Sequence, residues 1–271
     1  MALPKIGFVL DTQEAENLVP SSAEMSVIGA VVTAPAKAGG IEYNKLYAVN
    51  SDDAEFFTSL GATGTAQGAI LGAGKQLGQL QSSTRMVINV VPAGANAQET
   101  IANIVGNAAT KTGVHAFKKA GQQVGVIPRI LISPGFTSQQ VDNDGTLLAN
   151  AVCAELATVC ESLLAVAPVT GPATTKQAAL DWRETLASKR LIPTETDVII
   201  QGPNGPITVP SDAYVAGLIN RVDELHGGMP FHSAGNRELY GVLGPSRLID
   251  FSLTDGDSEG QTLLNADLGI I

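Results

Sequence analysis

The chain has 271 residues, of which 44% are hydrophobic and 15% charged, so it can bury a substantial core and is not a disordered chain. Its formal net charge of −10 disfavours non-specific attraction to nucleic acid phosphates or anionic lipid. No run approaches the ~20 unbroken apolar residues of a membrane-spanning helix, and the N-terminus lacks the sustained apolar core of a cleavable signal. We therefore expect a globular protein with no nucleic acid partner and no membrane insertion.

Residues 1–85 combine short strands with two helices. Short apolar runs predict strands at 5–10, 26–35 and 44–50. Ser51 is a good N-cap for a helix that ends at Gly61, and a second helix is predicted at about 65–77. The polar run after residue 10 leaves the first strand at an exposed end of the chain. We therefore expect an N-terminal arm at 1–20 and a smaller α+β portion of the core at 21–85.

From Met86 onward, strands and helices alternate. Strands are predicted at 86–91, 128–135, 163–169, 197–202 and 206–210, and helices at about 98–107, around His115, from Ser138 or Thr146 to Leu163, and at 174–188. The run PRILISPG at 128–135 is apolar without alternation, as in a central strand covered by helices on both faces. Strands joined through helices run parallel. The sequence thus predicts an α/β domain at 86–271, with a mostly parallel sheet and helices on both faces.

The two cysteines, Cys153 and Cys160, lie seven positions apart in a helical pattern. At ~1.5 Å of rise per residue they are about 10 Å apart along the axis, which is too far for a disulfide. We expect two buried thiols.

The most informative helix is predicted at 211–226. Ser211 is placed as its N-cap, and Asp212 adds a negative charge in the first turn, where the helix dipole favours it. Gly227 and Gly228 end the helix because glycine adopts the left-handed closing turn without strain. The predicted buried face consists of Val215, Leu218, Ile219, Val222 and Leu225, and the predicted polar face of Asn220, Arg221, Asp223 and Glu224.

A set of residues in and after this helix follows a recognisable order: Pro210, Tyr214, Ala216, Gly217, Asp223, Phe231, Ser233, Asn236, Gly241 and Val242. This order resembles the signature of the contractile tail sheath proteins of bacteriophages and R-type pyocins. Phe231 stands where that family usually has tryptophan, and Ala234-Gly235 where it has Pro-Ser.

Three further segments are similar to the same family. Pro128 and Arg129 precede an apolar run that ends at Pro134 and Gly135, like the family's strand and turn. The segment Ser188–Arg190 follows a helix that carries Trp182, and Leu264, Asn265 and Ile270 resemble a later run. Together these segments cover about half of the chain, and the first hundred residues match only in outline.

The resemblance implies a structural, non-enzymatic protein. Sheath subunits form stacked rings around a tail tube and contract to a wider, shorter state. The implied partners are identical subunits, the tail tube protein and the baseplate, and the implied location is the virion tail after assembly in the bacterial host cytoplasm. No cofactor or metal is implied, and the central domain would be similar in fold to subtilisin.

The resemblance also bears on the two ends of the chain. Sheath proteins continue beyond the run that contains Asn265 into a domain that faces the tube, and this chain stops at Ile271. We expect that domain to be missing from this sequence. At the other end, Ile6, Phe8 and Leu10 are expected to form an inter-subunit arm that becomes ordered by strand addition to a neighbouring subunit.

The alternative is an α/β enzyme, such as a serine hydrolase, or a domain that binds a nucleotide or small ligand at the carboxyl ends of the parallel strands. His232 beside Ser233 is the only pair worth testing as base and nucleophile, since no Gly-x-Ser-x-Gly elbow is present. The run GAGKQLG at 72–78 has Gln76 after Lys75, where a phosphate-binding loop needs Ser or Thr, and is better explained as a packed helix. Asp255, Asp257 and Glu259 alternate like a calcium loop, but Ala266 stands where the closing glutamate belongs. We therefore assign no catalytic, cofactor-binding or metal-binding residue.

Overall fold

The computed structural model describes residues 26–271, apart from 79, 81, 145 and 231. The strands are β1 (Ile28–Thr33), β2 (Leu46–Asn50), β3 (Arg85–Val91), β4 (Ile130–Ile132), β5 (Val141–Asn143), β6 (Thr146–Leu148), β7 (Ala167–Thr170), β8 (Leu191–Thr194), β9 (Val198–Gly202), β10 (Gly205–Val209) and β11 (Val242–Pro245). The helices are α1 (Ala54–Ser59), α2 (Ala66–Gly78), α3 (Ala97–Val105), α4 (Ala120–Gln123), α5 (Ala151–Leu163), α6 (Lys176–Glu184), α7 (Asp212–Leu225) and α8 (Glu259–Asn265), with a 3-10 helix at Gly113–Lys119. The predicted arm residues Ile6, Phe8 and Leu10 lie outside the described residues.

The central sheet is mixed, with mostly parallel strands. β1 pairs in parallel with both β3 and β4, while β2 pairs antiparallel with β3 at the edge. β7 and β8 form a parallel pair that joins β4 through a bridge between Val166 and Ile130, where Val166 accepts a hydrogen bond from Leu131 N at 2.8 Å. The strands therefore follow one another in the order β2-β3-β1-β4-β7-β8.

The position of β4 confirms that PRILIS is a central strand. Ile130, Leu131 and Ile132 are buried, and the strand has β1 on one side and the segment leading into β7 on the other. β1 comes from the predicted N-terminal portion, yet it lies between β3 and β4. The sheet therefore crosses residue 85, and the division into portions at 21–85 and 86–271 stays a prediction.

Side chains of the sheet alternate between two helical layers. Ile28, Ala30 and Val32 point to the layer formed by α1, α2 and α7, which we call the α7 layer. Val31, Val87 and Leu131 point to the layer formed by α3, the 3-10 helix, α4, α5, α6 and α8, which we call the α5 layer. The prediction of helices on both faces of an α/β sheet is confirmed. None of the helices in the described part of the chain is long and apolar enough to span a membrane.

Two smaller antiparallel elements lie outside the central sheet. β9 pairs with β10, which confirms the strand pair predicted at 197–202 and 206–210. β11 pairs with the other edge of β9, with an irregularity between Val242 and Gly244. β5 and β6 form a hairpin in the stretch where the sequence predicted the beginning of a helix. The prediction of a start near 138 or 146 is therefore wrong. α5 begins after Asn150, whose side-chain oxygen accepts hydrogen bonds from Val152 N and Cys153 N.

Two local predictions have different outcomes. Ser51 does not cap α1, because Asp53 occupies the N-cap and accepts a hydrogen bond from Phe56 N at 2.9 Å. Ser51 instead accepts a hydrogen bond from Thr84 N beside the end of β2. Cys153 and Cys160 are buried free thiols on α5, as expected, and burial raises the pKa of each thiol to about 12.

Candidate functional site

The residues that carry the sheath resemblance concentrate around α7, which crosses α2 at very short range. A Cβ atom on Gly217 would lie 2.5 Å from the carbonyl oxygen of Ala73, and one on Gly72 would lie 2.9 Å from Cβ of Ala213. Tyr214 is buried against Gly72 in the same crossing. Ala216 is also buried, between α7 and the sheet. The small residues of the signature therefore permit two helix backbones to approach each other closely.

The predicted polar face of α7 is largely buried, which corrects the sequence interpretation. Asn220 donates from Nδ2 to Ser26 O at 2.6 Å, and Asp223 accepts a hydrogen bond from Ser26 Oγ at 2.8 Å. Burial raises the pKa of Asp223, and the Ser26 hydrogen bond acts in the opposite direction. Leu225, assigned to the buried face, is 55% exposed. The sequence pattern assigned Asn220, Arg221 and Asp223 to solvent, whereas α2 and the chain at Ser26 cover this side of the helix.

Gln76 and Arg221 form an anchor for the end of the loop that follows α7. Gln76 Nε2 donates to Tyr240 O at 2.8 Å, and Gln76 Oε1 accepts from Tyr240 N at 3.0 Å. Arg221 donates to Glu238 O and to Gln76 Oε1, and its guanidinium lies 4.0 Å from the centre of the Tyr240 ring. Sequence reasoning gave neither residue this role, since it placed Arg221 on the polar face of α7 and Gln76 in a packed helix. The available signal for Gln76 was an uncharged polar side chain beside apolar positions of an Ala/Gly-rich helix.

The loop itself is shaped by local turns. Ser233 Oγ accepts a hydrogen bond from Gly235 N at 3.1 Å, and Asn236 adopts a left-handed backbone with φ 55. Gly241 has φ +75, and a Cβ there would lie 2.7 Å from Cδ of Lys75. These three signature residues therefore fix a backbone path. Phe231 lies outside the described residues.

The pair proposed for a hydrolase is not arranged as base and nucleophile. The ring of His232 stacks on His226 with centroids 3.5 Å apart. Ser233 Oγ is occupied by Gly235 N, and the described part of the chain contains no hydrogen bond between Ser233 and His232. Catalysis by such a pair requires hydrogen-bond geometry first.

The N-terminal end of α7 lies in a buried polar cluster at the carboxyl ends of β7 and β8. Ser211 Oγ lies 2.8 Å from Thr194 Oγ1 and 3.1 Å from Thr170 Oγ1. Contrary to the prediction, its hydroxyl forms no capping hydrogen bond with the helix. Asp212 is fully buried rather than exposed to the solvent. Its Oδ1 accepts a hydrogen bond from Ala213 N, whereas Oδ2 has no partner among the described residues. Burial raises the pKa of Asp212 to about 7, and the nearby Asp197 adds to the rise.

The Pro-Arg and Pro-Gly motifs lie at opposite ends of β4. Pro128 packs on Gly29, where a Cβ would lie 2.9 Å from Cβ of Pro128. Arg129 donates to the carbonyl of Leu163 in the last turn of α5, where a cation complements the helix dipole. Gly135, with φ +83, follows the buried Pro134, and a Cβ on Gly135 would lie 3.8 Å from Pro210. The Pro-Gly turn therefore lies beside the beginning of α7.

Two family positions lie away from the α7 cluster. Trp182 is buried in the α5 layer, where Nε1 donates to Thr137 O at 3.1 Å. Asn265 is exposed at the end of α8. The signature is thus one cluster around α7 with outlying members on the opposite layer.

The acidic turn near the C-terminus has a structural explanation. Asp255 Oδ1 accepts a hydrogen bond from Asp257 N, and Glu259 forms an ion pair with Arg247 at 2.6 Å. Arg247 also pairs with the buried Glu195 at 2.7 Å. Burial raises the pKa of Glu195, while Arg247 opposes the rise. Within the described residues, no group of three or more His, Cys, Asp or Glu side chains could hold a metal ion.

A groove of about 800 Å³ runs along the uncovered side of α7. Its floor is apolar and includes Val215, Leu218 and Ile219 from α7, and Val166 and Ile192 from the sheet. Its walls are formed by the loop after α7, by β11 and by Ile270 and Ile271. The predicted buried face of α7 is therefore confirmed in part: Val222 and Leu218 are buried, whereas Val215, Leu218 and Ile219 also line this groove.

An α/β protein with this signature cluster can be compared with known proteins. No protein-family model matches the chain. The chain is 29% identical over 191 residues to a protein of Pseudomonas aeruginosa (strain UCBPP-PA14) named "Putative prophage major tail sheath protein". The matched region covers 67% of this chain and 46% of the relative, so the chain spans about half the length of the curated relative that it matches. This similarity confirms the resemblance to phage tail sheath proteins, and the relative's name is that of a structural protein rather than an enzyme.

Proposed function

We propose that the chain is a structural subunit of a contractile phage or phage-like tail sheath, which forms stacked rings around a tail tube and contracts to drive the tube through a target envelope. The observation that carries the proposal is the similarity over 191 residues to a protein named as a prophage tail sheath. Its partners are identical subunits, the tail tube protein and the baseplate. Its location is the virion tail, after assembly in the host cytoplasm, and it acts without a cofactor or catalytic residue.

The packing around α7 suits this role. A sheath changes length by moving its subunits as rigid bodies between two lattices. The close contact of Gly217 with Ala73, and the anchoring of Tyr240 by Gln76, would keep α2, α7 and the following loop together during such a movement. In this proposal the signature residues preserve the shape of the subunit, and the central domain is the subtilisin-like sheath domain.

The N-terminal arm supplies the linkage between subunits in this proposal. Ile6, Phe8 and Leu10, in residues 1–20, alternate with the side chains between them, so they would project to one face of an added strand. Unpaired amides and carbonyls of such a strand are a template for pairing with another chain. Because the arm would contact a neighbouring subunit, its loss would weaken assembly rather than the fold.

Electron microscopy of the purified, negatively stained chain tests the proposal, together with sedimentation at rising protein concentration. We expect rings or tubular assemblies, and we expect deletion of residues 1–12 to reduce them without lowering the melting temperature. The control Leu71→Asp changes an exposed residue of α2 and should assemble normally. A chain that stays monomeric at every concentration would contradict the proposal, and a deletion that unfolds the core would contradict the arm.

The enzyme alternative predicts a different result. A fluorophosphonate probe that labels a serine, with labelling lost in His232→Ala, would indicate a hydrolase. The stacked arrangement of His232 on His226 gives no support to that alternative.

A further inference from the structure

The groove beside α7 begins where the described chain begins. Ser26 is held at the C-terminal half of α7 by hydrogen bonds with Asp223 and Asn220, and Asp223 also lines the groove. The preceding residues 1–25 therefore join the folded core at one end of this groove. Any apolar segment close to Ser26 in the sequence is tethered next to an apolar surface.

The length of the preceding segment matches the groove. From Asp223 to Val215, the floor extends along α7 for about 12 Å, at ~1.5 Å per residue. Five residues lie between Pro20 and Ser26, and the six steps from one to the other can span up to about 20 Å. Leu18, Val19 and Pro20 form the apolar run nearest to Ser26 in the sequence. They can therefore reach the whole floor.

One basic side chain on the rim can attract the acidic residues of the segment. Arg237 and His232 lie on the rim, and Arg237 has no ion pair within the described part of the chain. Two carboxylates, Glu238 and Asp223, also line the groove, so the attraction is confined to the surroundings of Arg237. The residues before the apolar run include Glu14 and Glu16, so a chain that runs outward through the groove would bring carboxylates towards Arg237.

We propose that Leu18, Val19 and Pro20 of the same chain occupy the groove beside α7. The tether at Ser26 gives these residues a high effective concentration at the groove, which a segment of another subunit lacks. Leu18 and Val19 cover Val215 and Ile219, and Glu16 lies near Arg237. This docking fixes the base of the N-terminal arm and leaves Ile6, Phe8 and Leu10 free to extend. It does not depend on the sheath proposal, since it concerns the isolated subunit.

Cysteine cross-linking tests the proposal directly. The double variant Val19→Cys/Ile219→Cys should form an intrachain disulfide under mild oxidation, detected by mass spectrometry of proteolytic fragments. The control Val19→Cys/Leu164→Cys places the second thiol at an exposed position on the opposite layer and should cross-link at least ten-fold less. Equal cross-linking in both variants, or none in either, would overturn the proposal.

Mixing labelled and unlabelled protein distinguishes the possible occupants. If ¹⁵N-labelled and unlabelled double variants are mixed before oxidation, intrachain docking gives only uniformly labelled cross-linked peptides. Mixed-isotope peptides would show that a second copy fills the groove instead, which would overturn docking within one chain.

A second measurement avoids the introduced cysteines. Leu18→Asp should expose the groove, raise the binding of an apolar dye and lower the melting temperature. Gln13→Asp, in the polar run before it, should leave both quantities unchanged. If the two variants behave alike, the run at 18–20 does not cover the groove.

Discussion

The two layers that cover the central sheet are stabilised in different ways. In the α7 layer, small residues such as Gly72, Ala73 and Gly217 permit close backbone contact, and buried polar groups such as Gln76 and Asp212 fix the geometry. The α5 layer is built from larger apolar side chains, including Phe117, Leu156 and Trp182. Backbone contacts tolerate less change of shape than contacts between flexible side chains.

This difference explains where the sheath signature lies. Tyr214, Ala216, Gly217 and Gly241 all belong to the α7 layer or to the loop that it anchors. A small residue is needed wherever two backbones meet, so the α7 layer leaves a readable pattern in the sequence. The α5 layer needs only apolar volume, which many sequences supply.

The largest expected effect is in the α5 layer. Trp182→Ala should lower the free energy of unfolding by about 3–5 kcal/mol, because it removes a fully buried side chain and leaves a cavity. Trp182→Phe, which loses mainly the hydrogen bond to Thr137 O, should cost about 1 kcal/mol. Urea denaturation followed by circular dichroism measures both. A loss below 1 kcal/mol for the alanine variant would mean that this layer does not depend on apolar volume.

The α7 layer should be the more sensitive to pH. Asp212 has its pKa raised from 3.8 to about 7 in the folded state, so the fold favours its protonated form. Below about pH 4 the carboxyl is protonated in both the folded and the unfolded state, so it does not reduce the stability of the fold. Stability is lost as the pH rises from about 4 to 7, where only the unfolded state releases the proton readily. At about 1.4 kcal/mol per pKa unit, this loss can reach about 4 kcal/mol.

Asp212→Asn separates this carboxyl from the others with raised pKa, namely Glu195, Asp197 and Asp223. Relative to the unchanged protein, the variant should gain stability between pH 4 and 7, as measured by urea denaturation at several pH values. Asp52→Asn, at an exposed position, is the control and should show no such trend. A constant difference across this pH range would contradict the assignment.

The close packing of α2 on α7 predicts a smaller loss of stability when a side chain is added between the two helices. Gly217→Ala should destabilise the protein by about 1–3 kcal/mol, because the added Cβ meets the backbone oxygen of Ala73. Gly68→Ala, on α2 at a position with open space around it, should instead stabilise by about 0.5–1 kcal/mol. Thermal denaturation of the two variants gives the comparison. If both changes stabilise, the helices are free to move apart.

The smallest effect concerns the loop anchor. Gln76→Met should remove both hydrogen bonds to Tyr240 and cost about 1 kcal/mol. Hydrogen exchange of Tyr240 N should become faster while exchange in β4 changes little, because the loss is local. Gln122→Met, at an exposed position, is the matched control. Unchanged exchange at Tyr240 would show that another group holds the loop.

Hydrophobic patterning predicted the helices and strands that are packed evenly against their neighbours. The unalternating run of β4 and the small-residue helix α2 were correctly identified, because both faces of β4 are covered and α2 packs continuously on its neighbours. The hairpin β5–β6 was missed, since its three-residue strands are too short for a period to show. β1 was identified as a strand, but a single sequence does not specify that it pairs with β3 and β4.

The polar contacts of the site were beyond pattern reasoning. Asn220 and Asp223 occupy positions that a helical wheel assigns to solvent, and only the distant Ser26 makes their burial favourable. Ser211 has the sequence context of an N-cap, but Thr170 and Thr194 compete for its hydroxyl. Such partners are separated by tens of residues, and their distances are set by the completed fold.

The placement of Trp182 has an optical consequence. It is the only tryptophan in the chain, and it lies in the α5 layer, whereas three of the four tyrosines, Tyr47, Tyr214 and Tyr240, lie on the side of the α7 layer. Tryptophan fluorescence and tyrosine absorbance therefore report on opposite faces of the same sheet. If the sheet transmits unfolding from one face to the other, the two signals will change together during denaturation. If they separate, the order of the two transitions will identify the face that opens first.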